Sequence, residues 1–237
     1  MSGWAPKRFW TSAEVAEAPG GFAVTLDGRH VKTPAKAPLV VPSRALAEAI
    51  AREWQAQDEK IDPATMPVTR GANAAIDMVR TQHAEVAALI ADYGGTDLLC
   101  YRAEAPRELV ARQSEHWDPL LDWAEAALGA RLAVTQGVVP VAQPEAALAA
   151  LGARVAAMDE WQLAALHDLV GITGSLVLGL AVAEGRLTAD EAWTLAQLDE
   201  DWQAEQWGVD DEAAEHAGRK RDALLDAERF WRMRHAL

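Results

Sequence analysis

The sequence predicts an α+β protein in which a small β-rich domain at the N-terminus precedes a larger, mainly α-helical domain. Three observations predict this fold class: a strand-turn-strand pattern before residue 42, a break with two prolines near residue 65, and helical periodicity almost everywhere beyond it. We therefore expect an N-terminal domain of residues 1–65 with one covering helix and a helical domain of residues 66–237. A chain of 237 residues is long enough to give both a buried core.

The first predicted element is a β-hairpin. Residues 22–26 alternate between apolar and polar side chains, which predicts the first strand. Asp27-Gly28 is a strong two-residue turn signal, and residues 29–33 are predicted to be the second strand. Residues 39–41 are expected to form a third short strand between two prolines.

A helix that covers this small sheet comes next. Ser43 is a favourable N-cap, and Leu46, Ile50 and Trp54 recur every four residues, which gives an apolar stripe. Trp54 is expected to be a structural anchor between the layers. The prolines in residues 61–67 then mark the domain boundary.

The rest of the chain has the period of a helical bundle. Gly129 is expected to end one of these helices. Residues 132–141 after it are expected to form a short extended segment around Gly137. The predicted helices cover residues 76–93, 106–117, 118–128, 144–158, 159–183, 188–207 and 210–233.

The most apolar stretch, residues 169–183, falls short of the roughly 18 or more residues needed to cross a bilayer, so it predicts a buried central helix. Gly171, Gly174 and Gly179 lie three to five residues apart, and Ser175 directly follows Gly174. These small residues would let neighbouring backbones approach closely, and tight packing would offset the helix-weakening effect of glycine.

An acidic helix rich in tryptophan follows. Thr188 and Glu191 have the spacing of a capping box, and the helix that they open is expected to stop at Gly208. Leu195, Leu198 and Trp202 share one stripe of this helix. The remaining positions carry the acids Asp199, Glu200, Asp201 and Glu205.

Composition narrows the class of partner. The net charge of -14 disfavours nucleic acid and anionic membranes and favours a basic protein surface. A single cysteine, Cys100, excludes an internal disulfide and, in apolar surroundings, is expected to be a buried structural thiol. Residues 1–10 contain neither a secretory signal nor an Arg-rich presequence, so we expect a cytoplasmic protein without membrane insertion.

No motif for catalysis, metal or cofactor stands out. The six histidines lack metal-ligand spacing, and Leu180-Ala181 replace the Lys-Ser/Thr pair that a phosphate loop needs after Gly179, so we expect no metal and no cofactor. The acids of residues 199–201 are either a general acid/base pair or a solvated helix face. Trp202 and Trp207 are either core or contact residues.

Several motifs spread over nearly the whole chain resemble those of one family. This family comprises the assembly chaperones of the ATP synthase F(1) sector that act on its α subunit. The motifs are RFW at 8–10, GFAVTLDGRHVKTP at 21–34, EWQAQ at 53–57, MPVTR at 66–70, DLLCYR at 97–102, WDPLL at 117–121, TGSL at 173–176 and LDEDWQAEQWG at 198–208.

The resemblance implies a non-enzymatic chaperone that holds the free α subunit until the β subunit displaces it. The acidic functional position of the family falls on Asp199 or Glu200. The partner-binding residues implied by this position and its surroundings are Asp199, Glu200, Trp202, Gln203 and Trp207. The resemblance also implies a bacterial cytoplasmic protein whose eukaryotic relatives work in the mitochondrial matrix.

Two other classes stay open at this point. One is a small-molecule hydrolase with Asp199 and Glu200 as acid and base in an interdomain cleft. The other is a helical adaptor for a different complex. A raised carboxylate pKa inside a concave pocket would favour the hydrolase, and the protein that co-purifies would identify the adaptor.

Overall fold

The computed structural model describes residues 7–235, so most of the N-terminal segment inspected for targeting signals lies outside the described residues. Within this range a small sheet near the N-terminus is followed by mostly helical structure, which confirms the predicted α+β class. The strands are β1 Ala13–Ala18, β2 Gly21–Leu26, β3 Arg29–His30, β4 Val40–Val41, β5 Tyr101–Arg102 and β6 Thr135–Gln136. The α-helices are α1 Arg44–Gln55, α2 Pro67–Ala74, α3 His83–Ala91, α4 Arg107–Leu128, α5 Glu145–Ala156, α6 Glu160–Thr173, α7 Leu176–Ala183, α8 Ala189–Ala196, α9 Leu198–Trp207 and α10 Asp211–His235.

The described residues pack into two compact units. Unit 1 consists of the residues up to His83, of Asp159–Ala165 and of the residues from Arg229 onward. Unit 2 consists of Ala84–Met158 and Leu166–Glu228. The predicted domain boundary between residues 65 and 66 stays a prediction.

Unit 1 contains an antiparallel sheet in the order β1-β2-β3, with β4 pairing the other end of β2. The predicted turn is confirmed, since Asp27 and Gly28 have φ values of 47° and 79° as a type I′ turn requires. The Asp27 carboxylate also accepts hydrogen bonds from the backbone N–H groups of Thr11 and Ser12. These bonds lower the pKa of Asp27 and tie the chain before β1 to the turn.

Strand β1 was not predicted, because its small and acidic residues make a weak alternating pattern. It pairs with β2 along its whole length, from Ala13 opposite Leu26 to Ala18 opposite Gly21. Pro19-Gly20 between the two strands is the turn signal that could have revealed it.

Helix α1 covers the sheet as predicted. The Ser43 hydroxyl accepts from the Leu46 N–H, and both Leu46 and Ile50 are fully buried. Trp54 is half-buried and meets Trp10 edge to face, with ring centroids 5.2 Å apart. Trp54 therefore packs where α1 meets the chain that leads into β1.

Two predicted helix boundaries are wrong. Residues 76–93 do not form one helix, because a π-helical turn at Ala75–Val79 ends α2 and a new helix begins at His83. Helix α4 runs through Asp118-Pro119, where a restart was predicted. Pro119 cannot donate to the Glu115 carbonyl, but both residues are exposed, so water can satisfy the carbonyl at low cost.

The prediction of one continuous helix through Gly174 is also wrong. Helix α6 ends at Thr173, Gly174 adopts a left-handed φ of 70°, and Ser175 starts α7 by accepting from the Leu178 N–H at 3.0 Å. The Ser175 hydroxyl donates in turn to the carboxylate of Asp97 at 2.7 Å. Ser175 is thus a cap, not the small packing residue that the sequence suggested.

The close packing predicted for this stretch is found at Gly179. A Cβ added there would lie 2.5 Å from the Val170 Cγ2, whereas at the exposed Gly171 it would meet only the Tyr93 hydroxyl at an ordinary 3.8 Å. We expect Gly179→Ala to lower the free energy of unfolding by about 1–3 kcal/mol through overpacking. Urea unfolding followed by circular dichroism measures this.

The matched control is Gly152→Ala in α5. Its added Cβ meets only the Ala91 Cβ at 4.0 Å, so higher helix propensity should stabilise the protein by about 0.5–1 kcal/mol. If both substitutions proved equally stabilising, the close approach of α7 to α6 at Gly179 would be refuted.

Candidate partner-binding surface

Helix α9, which carries the predicted site residues, is positioned by the helix before it. The capping box is confirmed: the Thr188 hydroxyl accepts from the Glu191 N–H at 3.2 Å, and the Glu191 carboxylate accepts from the Thr188 N–H at 2.7 Å. The predicted single helix bends at Gln197 into α8 and α9, and α9 ends at Gly208. The bend gives α9 its own direction against α4.

A buried glutamine connects α4 to the start of α9. The Gln113 Nε2 donates to the Asp199 Oδ1 at 2.7 Å, and its Oε1 accepts from the Ala103 N–H at 2.8 Å. Gln113 is fully buried and Asp199 half-buried. The Asp199 carboxylate therefore satisfies a buried donor, which gives it an internal role.

An arginine connects α4 to the other end of α9. The Arg112 Nη1 lies 2.9 and 2.8 Å from the two carboxylate oxygens of Glu205, and its guanidinium lies 5.8 Å from the centroid of the Trp202 ring. This hydrogen-bonded arginine lowers the pKa of Glu205. The half-buried Trp202 thus packs on the α4 side of the helix.

The buried Trp117 fixes the end of α8. Its Nε1 donates to the Leu195 carbonyl at 3.0 Å, and its side chain is fully buried. Together with Gln113 and Arg112, it places three polar contacts along one side of the α8–α9 segment. Helix α9 is therefore attached to α4 through Asp199 and Glu205, while its exposed side faces water.

The exposed side of α9 carries Glu200, Gln203 and Trp207. The three positions lie within an arc of about 60° around the helix axis, since successive residues are about 100° apart. All three are exposed, and Trp207 is 79% exposed. We call these three residues the α9 face.

The five predicted contact residues thus separate into two groups. Glu200, Gln203 and Trp207 form the α9 face, whereas Asp199 and Trp202 are turned towards α4. Asp199 and Glu200 point about 100° apart around the helix, so they do not oppose each other as an acid/base pair would.

Sequence reasoning missed Gln113 and Arg112. The available signal for Gln113 was a polar residue in the buried register of α4, which requires hydrogen-bond partners. Nothing in the sequence indicated which residue would provide them, because the partner Asp199 lies 86 positions further along the chain.

No cluster of three His, Cys, Asp or Glu side chains in residues 7–235 could hold a metal ion. Cys100 is fully buried, and desolvation raises the pKa of its thiol to about 12, as expected for a structural thiol. No helix in the described range combines the length and apolar character that spanning a membrane requires.

Comparisons with known proteins give a consistent result. A family model described as ATP12 chaperone protein matches residues 7–125. The Schizosaccharomyces pombe protein named "Protein atp12, mitochondrial" is 27% identical over 221 residues, which cover 88% of this chain and 76% of that protein.

Solved structures match over nearly the whole chain. The crystal structure of Atp12 from Paracoccus denitrificans has a TM-score of 0.94 at 52% identity and covers 97% of this chain and 98% of its own. An aspartate-to-lysine mutant of the Paracoccus protein matches equally well. The Atu1473 protein of Agrobacterium tumefaciens has a TM-score of 0.89 at 48% identity, covering 94% and 85% of the two chains.

Proposed function

The chain belongs to the ATP12 chaperone family, and from this premise we propose that it assists assembly of the ATP synthase F(1) sector by binding the free α subunit. In this proposal the chaperone covers apolar surface of the unassembled α subunit that would otherwise aggregate. The β subunit then replaces the chaperone. We expect this activity in the cytoplasm of a bacterium, because the bacterial relatives are more similar to the chain than the mitochondrial one is.

The observation that carries the proposal is the α9 face. The exposed indole of Trp207 lies on a helix that is attached to α4, so it can enter a pocket of a partner at low entropic cost. Tryptophan is also enriched among the residues that dominate binding energy. Glu200 on the same face gives charge complementarity to a basic client. Affinity from so small a face stays moderate, which suits a partner that must later be displaced.

We propose that no catalytic step is involved. The carboxylate of Asp199 is occupied by Gln113, and that of Glu200 projects into solvent. A general acid or base needs a positioned reacting group within hydrogen-bond reach, usually in a concave site, whereas the three side chains of the α9 face are exposed to solvent.

A co-refolding assay tests the proposal. The purified α subunit is diluted from denaturant with increasing amounts of the chaperone, and light scattering reports aggregation. We expect suppressed scattering and a complex on size-exclusion chromatography that disappears when β subunit is added. Scattering unchanged at a tenfold excess of the chaperone would refute the proposal.

Two substitutions separate the adjacent acids in that assay. Asp199→Asn keeps an oxygen for the Gln113 donor, so we expect its protection to stay close to that of the original protein. Glu200→Lys reverses an exposed charge on the α9 face. We expect it to raise the chaperone concentration for half-maximal protection about tenfold, which corresponds to about 1.4 kcal/mol.

Glu85→Lys is the matched control, because Glu85 is an exposed acid on α3 and the change in net charge is the same. Its protection should equal that of the original protein. Loss of protection by Asp199→Asn alone, with an unchanged unfolding midpoint, would move the functional acid from Glu200 to Asp199.

A further inference from the structure

A second exposed apolar feature of unit 2 lies in the loop of residues 133–143, which we call the valine loop. Val138 and Val139 at its tip are 91% and 70% exposed, and the exposed Pro140 follows them. Adjacent apolar side chains at a loop tip offer apolar area that contact with a partner would remove from water.

The valine loop is built as a closed unit. Gln143 is buried, its Nε2 donates to the Ala133 carbonyl at 2.9 Å, and its Oε1 accepts from the Ala133 N–H at 2.7 Å. These two bonds close the neck of the loop, as in a compact Ω-loop. The Thr135 hydroxyl contacts the Val139 carbonyl at 3.4 Å inside it. The valines are therefore presented by a preorganised loop.

Hydrogen bonds join the loop to α9 through Gln113. The Gly137 N–H donates to the Arg102 carbonyl at 2.8 Å, the next residue Ala103 donates to Gln113 at 2.8 Å, and Gln113 donates to Asp199 at 2.7 Å. All of these residues belong to unit 2. Gly137, next to the tip of the loop, is thus linked to the start of α9.

The direction of α9 brings its end towards the same end of α4. Along α4, Trp117 contacts Leu195 and Arg112 contacts Glu205, so α9 runs towards the N-terminus of α4. Arg102, which holds Gly137, lies just before that N-terminus. Trp207 and the valine tip therefore both belong to the region around the start of α4.

Acidic side chains outnumber basic ones in this region. The Glu104 carboxylate lies close to Gly137, Glu108 is exposed in the first turn of α4 next to the exposed Arg107, and Glu200 lies on the α9 face. An apolar contact with an acidic border complements an apolar segment flanked by lysine or arginine. A second copy of this chain fits poorly, because each copy carries a net charge of -14.

We propose that the tip of the valine loop is a second contact for the same client that the α9 face binds, and that it receives an apolar segment with basic flanks. The inference rests on the proposed function and extends it to two contacts on one unit. Once one contact has formed, the other forms at high effective concentration. Each contact alone is weak enough for the β subunit to displace it in turn.

The test is the co-refolding assay with the double variant Val138→Ser and Val139→Ser. Leu89→Ser is the matched control, since Leu89 is an apolar residue of α3 that is 54% exposed. We expect half-maximal protection to require about ten times more of the loop variant than of the original protein. A tenfold change is the effect that we expect from losing one of the two contacts. The Leu89→Ser control should protect the client at the same concentration as the original protein. The unfolding midpoints of the original protein and of both variants should agree.

Photo-crosslinking identifies the occupant directly. A photoreactive amino acid at position 138 should capture the α subunit, and prior addition of β subunit should abolish the product. Crosslinks between two copies of the chaperone, or full protection by the loop variant while Glu200→Lys fails, would overturn the second contact and leave the proposed function intact. Failure of the original protein to protect the α subunit would overturn both.

Discussion

Replacing Asp97 with alanine is expected to lower the free energy of unfolding by about 3–5 kcal/mol, a large part of the stability of an ordinary domain. The Asp97 carboxylate is fully buried and accepts from the N–H groups of Leu99 at 3.0 Å and Val177 at 2.9 Å and from the Ser175 hydroxyl at 2.7 Å. Alanine would leave these buried donors without an acceptor.

Urea unfolding of the two proteins at pH 7 measures this effect. The control is Asp92→Ala, because Asp92 is an exposed acid in the segment just before Asp97. The free energy of unfolding of this control should stay within about 0.5 kcal/mol of that of the original protein. A loss below about 1 kcal/mol for Asp97→Ala would mean that water replaces the carboxylate at the start of α7.

The same carboxylate should also give stability a characteristic pH dependence. Burial raises the pKa of Asp97 to about 6, against hydrogen bonds that lower it. Between pH 4 and pH 6 the folded state therefore holds a proton that the unfolded state has lost, so stability falls as pH rises. The contribution is fully present below pH 4 and is lost above pH 6, with a total of about 2–3 kcal/mol.

Asp97→Asn isolates this contribution, because asparagine keeps the shape of the side chain and does not titrate. The difference in unfolding free energy between the original protein and this variant should decrease from pH 4 to pH 7. Other acids cancel in the difference. A difference that stays level would show that the hydrogen bonds balance burial, and one that increases with pH would show that they outweigh it.

Trp117→Ala is the second substitution with a large expected effect. Removing a fully buried tryptophan should cost about 3–5 kcal/mol through lost burial and the cavity left behind. It would also leave the Leu195 carbonyl without its donor, and the buried Arg102 without the ring that lies 5.2 Å from its guanidinium. The end of α8 would lose its anchor, so protection of the client should fall as well.

Trp207→Ala gives the opposite pattern and serves as the comparison. Because its side chain is 79% exposed, the free energy of unfolding should change by less than about 0.5 kcal/mol. Client protection should nevertheless fall about tenfold, because Trp207 belongs to the α9 face. Equal losses of stability in the two variants would contradict the placement of Trp207 in water.

The sequence predicted those features whose causes lie within a few residues of each other. The turn at Asp27-Gly28, the Ser43 cap and the capping box of α8 are local, and the structure confirms each of them. Their physical causes are backbone conformation and hydrogen bonds over two or three positions. The acidic helix was predicted in the same way, but the sequence left open whether Trp207 is buried or exposed.

Most of the features that sequence reasoning missed depend on distant partners. Helix α6 ends at Thr173, and Ser175 at the start of α7 contacts Asp97, which lies 78 positions earlier in the chain. Pro119 stays inside α4 because its position faces water. Likewise, no local pattern shows that Gln113 orients Asp199 or that the valine loop is closed by Gln143.

Gln113 also constrains how this surface can change during evolution. Its amide uses both ends, accepting from Ala103 and donating to Asp199. A glutamate in its place could still accept but would place a second negative charge against Asp199, and a lysine could still donate but would leave the Ala103 N–H unsatisfied. We therefore expect substitutions at positions 113 and 199 to occur together among relatives. Glu200 is exposed and has no such constraint, so its identity can change when the surface of the partner changes.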